Sequence, residues 1–267
     1  AAAKRRSAAK SMAARADRHL LYQRGVQSPH FDAELLQQIY HQARGAKALH
    51  FREDFCAGAA TLCAWLEQGE AFSGEGCDID PEVIAWGERH NLAPLGAAAR
   101  RAKLRVADAR APSLRAPDIR GAFNFSCWIF RARREMLEYF RGAREDLAEG
   151  GVFVVDMHGG GEVFSEEEHV TDCGDFDLVV QQSGVRPADH NADLSLHFRF
   201  PDGSELRDAF RYRWRIWSMP ELADILREAG FADIRVHWCV DQEKCRYEIT
   251  ESGSNDPMWL ACLAALK

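Results

Sequence analysis

The sequence lacks a basic excess, a membrane-length apolar run, a C-x-x-C pair and an internal repeat. Each absence excludes something. A formal net charge of -7 over 267 residues is the reverse of the balance that phosphate neutralisation requires, so a nucleic-acid substrate is disfavoured, although a local basic patch can coexist with an acidic whole. Without an apolar run of spanning length there is no candidate membrane helix. None of the eight cysteines forms a C-x-x-C pair, which argues against a zinc site or any other metal centre. Cys77, Cys127 and Cys262 lie in apolar, strand-like segments, where a thiol behaves as a small hydrophobe. The cysteines are read as free, in a reducing compartment. The dinucleotide fingerprint G-x-G-x-x-G is also missing, which disfavours a nicotinamide-dependent oxidoreductase.

Hydrophobic residues make up 46% and charged residues 28%, a globular mixture able to bury a core. The first eighteen residues form a basic arm, with Lys4, Arg5, Arg6, Lys10, Arg15 and Arg18 against the single acid Asp17. The arm reads as a solvated extension, or as the remnant of an organelle transit segment. The compartment is accordingly read as cytoplasmic, with an organelle matrix as the alternative.

Helices are expected over residues 17–44, broken near Ser28-Pro29. Strands at 48–54, 73–79, 104–107, 122–127 and 152–156 alternate with helices at 61–68, from Asp80-Pro81-Glu82, and at 133–147. Such alternation implies a Rossmann-like, doubly wound, mostly parallel α/β sheet, here of seven strands. After Gly159 the rhythm changes. Residues 194–200 and 210–216 alternate apolar with polar around the turn Pro201-Asp202-Gly203-Ser204, predicting an inserted antiparallel hairpin over the sheet's mouth. Ser218 with Glu221 forms a capping box for a helix at 220–229, and strands at 234–238 and 259–265 close the sheet as an antiparallel pair. The organisation is thus an arm (1–18) and one domain (19–267), made of a cofactor half (45–158), a hairpin cap (159–217) and a closing segment (218–267).

Three features converge at strand ends. The small-residue turn Glu53-Asp54-Phe55-Cys56-Ala57-Gly58-Ala59-Ala60 leaves strand one and lets a ligand approach backbone closely at a helix start. Asp78, followed by Ile79, ends strand two about 25 residues later, where an ionised carboxylate accepts both hydroxyls of a ribose. Asp80, beside Pro81, suits a helix cap better. Asp108-Ala109 ends strand three, with the acid placed to meet an adenine amino group.

The series Arg52-Glu-Asp-Phe-Cys, Gly76-Cys-Asp-Ile-Asp-Pro, Trp86-Gly-Glu-Arg-His-Asn-Leu-Ala-Pro-Leu95, Ala107-Asp-Ala and Asn124-Phe-Ser-Cys-Trp-Ile-Phe130 resembles class I S-adenosylmethionine (SAM)-dependent methyltransferases. More narrowly, it resembles a largely uncharacterised, mainly bacterial subgroup. The resemblance runs from about Arg18 to the end and includes Tyr22-Gln-Arg-Gly-Val-Gln-Ser-Pro29. It implies SAM as cofactor. Glu53, Phe55, Cys56, Ala57 and Gly58 would lie beneath the methionine part, and Asp78 with Ile79 would hold the ribose. Asp108 and Ala109 would flank adenine, and Asn124 and Phe125 would border the methyl-transfer site. The chain departs from the subgroup's usual Cys-Gly-Thr-Ala in having Cys56-Ala57-Gly58-Ala59. If position 57 needs positive φ, alanine there costs on the order of 1 kcal/mol or more.

Methyl transfer needs a base only if the acceptor must lose a proton. Asn124, Tyr22 and Asp156 are the catalytic candidates; Asp156 alternatively binds backbone, Tyr22 alternatively belongs to a lid, and His158 reads more simply as a loop histidine. The stripe Phe210, Tyr212, Trp214 and Trp217 reads as hairpin core, or else as a cage for a small or cationic acceptor. The function expected is methyl transfer to a small molecule or protein side chain. A non-catalytic subunit of a larger complex and an RNA methyltransferase are the alternatives.

Overall fold

The computed structural model describes residues 10–241 and 246–267. Lys4, Arg5 and Arg6 of the arm, and Cys245, lie outside them. Five parallel strands form the centre of the main sheet: β1 (His50–Asp54), β2 (Ser73–Asp78), β3 (Ala102–Val106), β4 (Ile119–Ala122) and β5 (Val152–Gly159). β10 (Asp233–Asp241), β11 (Arg246–Thr250) and β12 (Trp259–Leu266) add antiparallel at one edge. The order is β11-β10-β12-β5-β4-β1-β2-β3. The doubly wound, mostly parallel architecture is therefore present, with β11 as an eighth strand beyond the seven expected. Its sequence, Arg246-Tyr-Glu-Ile-Thr250, is too short and polar to stand out from a loop.

Both faces of the sheet are covered. On β5, Val152 and Val154 pack with α3 (Pro29–Arg44) and α4 (Ala60–Glu67), while Phe153, Val155 and Met157 pack with α6 (Arg133–Asp146) and α7 (Met219–Glu228). The continuous apolar run at 152–155 suits a parallel strand buried on both faces. Asp80 caps α5 (Pro81–Gly87) by accepting the Glu82 N–H at 2.8 Å. Ser218 and Glu221 form the box at α7.

The inserted hairpin belongs to a larger unit. β8 (Asn191–Arg199) and β9 (Glu205–Arg215) are joined by β6 (Glu167–Asp172) and β7 (Asp177–Gln182) in a four-stranded antiparallel sheet, order β6-β7-β8-β9. β6, Glu167-Glu-His-Val-Thr-Asp172, carries little hydrophobic signal because its outer residues face solvent. The arm docks on this cap: α1 (Met12–Arg15) offers the Met12 N–H to Asp202 and the Ala13 N–H to Ser204 at the β8–β9 turn. α2 (Arg18–Val26) then bridges the cap and α5.

The strand expected at 122–127 is a correction. β4 stops at Ala122, and Asn124 and Phe125 adopt left-handed conformations (φ 57° and 56°). The Asp156 carboxylate of β5 takes both of their N–H groups, at 2.7 and 2.8 Å, and this replaces ladder bonding.

Candidate active site

The turn after β1 is built from alternating backbone hands: Phe55, Ala57 and Ala59 have φ of 54°, 46° and 57°. Left-handed non-glycine residues cost energy and persist only where neighbours impose them. Here the Cys56 N–H binds the Cys77 carbonyl at 2.9 Å and the Ala57 N–H binds Asp78 Oδ2 at 3.0 Å. The Gly58 carbonyl accepts the Asn91 side-chain amide at 2.7 Å. A Cβ on Gly58 would come within 2.8 Å of the Trp86 ring. The glycine at 58 thus answers to the packing of α5, while the strain of positive φ falls on Ala57.

Below the turn lies a buried ionic cluster. Asp54 accepts from Arg52 Nε at 2.8 Å, Arg120 Nε at 2.7 Å and the Tyr139 hydroxyl at 2.7 Å, and all four side chains are essentially inaccessible. Both arginines also donate to the Ala109 carbonyl, tying the loop after β3 to the floor of the turn.

A cavity of about 660 Å³ opens above the carboxyl ends of β1, β2, β4 and β5. That is within the range of roughly 300–1,000 Å³ usual for small-molecule sites. Of the cofactor-binding and catalytic candidates read from sequence, Tyr22, Phe55, Ala57, Gly58, Asp78, Asn124, Phe125 and Asp156 line it, with His158 beside them. The others lie elsewhere. Glu53 is buried under the turn, where it accepts the Leu62 N–H of α4 at 2.9 Å, and Cys56 is wholly buried. Ile79 points to solvent at 73% exposure. Asp108 is held in an ion pair by Arg110, which lowers its pKa, and Ala109 serves the ionic cluster through its carbonyl. The cavity walls therefore include Phe55, Ala57 and Gly58 of the expected methionine group and Asp78 of the ribose group, but not Glu53, Cys56, Ile79 or the adenine-flanking pair.

Burial dominates the electrostatics of the site. Burial pushes the Asp156 carboxyl up to about 7, against the pull of the two N–H groups it accepts. Burial lowers the His158 imidazole to about 4, so the ring is neutral at pH 7, stacked on Trp128 at 4.8 Å and close to Phe125. Tyr22 is pushed up to about 12 by burial and shares a hydrogen bond with Tyr212.

The cap supplies the roof, which sequence reasoning saw only in part. Cross-strand register sets Glu167, Gln182, Leu194 and Tyr212 in one row, and His169, Val180, Leu196 and Phe210 in the next. All eight line the cavity, as the period-2 alternation of strands dictates. Trp214 lines it too, Trp217 is core, and Arg211 and Arg213 lie on the opposite, exposed face. β6 and β7 carried no signal strong enough to find their lining residues. Among the described residues no group of three or more His, Cys, Asp or Glu is arranged to hold a metal ion.

No protein-family model matches the chain, and no curated protein matches it significantly in sequence. Solved structures do. An S-adenosylmethionine-dependent methyltransferase from Clostridium acetobutylicum superposes with a TM-score of 0.69 at 13% identity, over 91% of this chain and 96% of that one. An amino pentose methyltransferase from Micromonospora echinaspora, solved with SAM bound, gives 0.64 at 15% identity, over 91% and 94%. A sugar N-methyltransferase from Streptoalloteichus gives 0.63 at 15% identity, over 98% and 97%. With the sheet order and the strand-end crevice, these likenesses give the chain the fold of the class I SAM-dependent methyltransferases.

Proposed function

We propose that the chain is a methyltransferase that uses SAM and acts on a small molecule. The observation that carries this reading is the convergence, in one cavity, of the strained turn 55–59, the Asp78 carboxylate and the Asn124-Phe125 turn held by Asp156. The residues fit the group. Asp78 is anchored by the Ala57 and Asp80 N–H groups and keeps acceptor capacity for a diol. The turn exposes backbone to the cavity, and Gly58 keeps it thin. When bound, SAM supplies an electrophilic methyl group for in-line displacement.

The protein's part is orientation and exclusion of water. Asp156 fixes Asn124 and Phe125, so that the Asn124 side chain and the Phe125 ring face the acceptor. The Tyr22–Tyr212 pair, both phenols protonated at neutral pH, presents a hydrogen-bonding edge opposite. α2 and the cap close the crevice, and a roofed cavity favours a small acceptor over a polymer. The named acceptors of two structural neighbours, an amino pentose and a sugar, support the same choice.

The test is transfer of labelled methyl from SAM to a panel of small hydroxyl and amine compounds. Transfer to at least one, reduced about 100-fold in Asn124→Ala with SAM affinity retained, is the expected result. Efficient transfer to RNA in place of all of them would overturn the small-molecule reading.

A further inference from the structure

The four carboxylates lining the cavity are not equivalent. Asp78 is engaged by the Ala57 and Asp80 N–H groups, Asp80 caps α5, and Asp156 holds the Asn124-Phe125 turn. Glu167 stands at the far side, on the edge strand of the cap, and its side chain makes no hydrogen bond or ion pair with any described residue. No lysine or arginine is among the described residues that line the cavity. Among the described lining residues the basic side chains are the imidazoles of His19, His158 and His169, so Glu167 faces the cavity with no lysine or arginine opposite it.

Its place is fixed by register. Glu167 pairs with Gln182, Gln182 with Leu194, and Leu194 with Tyr212, one row across four strands. Three strand spacings put Glu167 about 14 Å from Tyr212. Tyr212 stacks on Trp214 at 5.1 Å, and Trp214 lies 6.1 Å from Phe125. One end of the row thus meets the Asn124-Phe125 turn, the middle is apolar at Leu194, and the other end is anionic. Gln182 donates through its side-chain amide to the Val163 and Ser165 carbonyls, which holds the strand end in place, and its Oε1 is an uncharged acceptor, whereas Glu167 carries the charge a cation pairs with.

We infer that the acceptor is an elongated, amphipathic molecule with a cationic group, an ammonium or a guanidinium, at the end distant from the methylated atom, and that Glu167 binds this group. An acceptor with a distal carboxylate or phosphate is disfavoured by the same arrangement, since its charge would meet Glu167 with no lysine or arginine among the described lining residues. Only the identity of the reacting end rests on the methyltransferase reading; the cationic subsite stands on the cap alone.

Calorimetric titration of the intact protein with decylamine, decanol and decanoate tests this, with and without saturating S-adenosylhomocysteine (SAH). Decylamine is expected to bind about ten-fold more tightly than decanoate, with decanol between. Glu167→Gln should erase the preference and Glu167→Arg reverse it, both variants keeping the parent's unfolding midpoint and SAH affinity. Decanoate binding as tightly as the amine, a preference that survives Glu167→Gln, or binding of none of the three overturns the inference. If the amine preference is present and SAH does not bind, the cofactor reading fails while the subsite stands. If SAH binds and the preference is absent, the subsite fails alone.

Discussion

Ala57 sits at φ 46° and Gly58 beside it does not need a left-handed conformation, so the two positions should respond in opposite senses to substitution. Ala57→Gly relieves a left-handed alanine and is expected to raise the free energy of unfolding by about 0.5–1 kcal/mol, where the same change in a helix interior would lower it. Gly58→Ala drives a methyl into the Trp86 ring and the Asn91 amide and should lower it, as denaturant titration would show. Removing Asp54 leaves Arg52 and Arg120 sharing Asp146, 3.8 and 3.0 Å away, as their remaining common acid in the interior. Asp54→Ala is expected to cost about 3–5 kcal/mol, with little relief from salt because the group is buried. Residue-scale legibility was uneven for a physical reason. Asp78 was readable because an acid ending strand two is a local feature. The ionic cluster was not, because Asp54 meets Arg120 and Tyr139 across separations of 66 and 85 residues. Asp108, expected beside adenine, lies outside the cavity lining, where Arg110, two residues on, pairs with its carboxylate.

At the scale of elements, α2 is the piece that closes the site. Asp17, its cap, accepts the Trp86 indole N–H at 2.7 Å, and Asn91 donates to both Gln23 of α2 and the Gly58 carbonyl, at 2.8 and 2.7 Å. The helix that covers the cavity is therefore latched to the turn that floors it. Trp86→Phe and Asn91→Ala should each speed SAH dissociation about ten-fold and change association little, since lid contacts act mainly on residence time. Stopped-flow displacement reads both rates; a change confined to association would contradict the latch. β5 was legible from its unbroken apolar run and α5 and α7 from their caps, while β1 and β2, which carry charged residues along buried strands, were placed by the strand–helix alternation. The cap's β6 was not, because an edge strand with a polar outer face has no such run, and 122–127 misled because its aromatic residues serve a turn.

Across the whole molecule, four acids among the described residues are held at sites where burial favours their neutral forms: Asp78, raised above its ordinary value, and three with larger shifts. Burial pushes Glu53 up to about 8 and Asp32 and Asp156 up to about 7. Raised folded-state values mean that this stability is fully present below the ordinary carboxylate range and is lost as pH rises through 7 to 8. His158 and His237, lowered to about 4, act the other way, but their loss falls below pH 6.5. Between pH 6.5 and 8 the acids dominate, so the unfolding free energy should fall with pH, and Glu53→Gln should flatten that slope by up to about 2 kcal/mol over the interval. A slope that Glu53→Gln leaves unchanged would contradict this assignment.

The central claim, that the strand-end cavity holds SAM through Asp78, is tested most directly by calorimetric titration of the intact protein and Asp78→Asn with SAH. Micromolar binding by the parent, lost about 100-fold in a variant with an unchanged unfolding midpoint, is the predicted result. A folded parent protein that takes up no SAH would contradict the account and leave the methyltransferase fold as a scaffold without its cofactor.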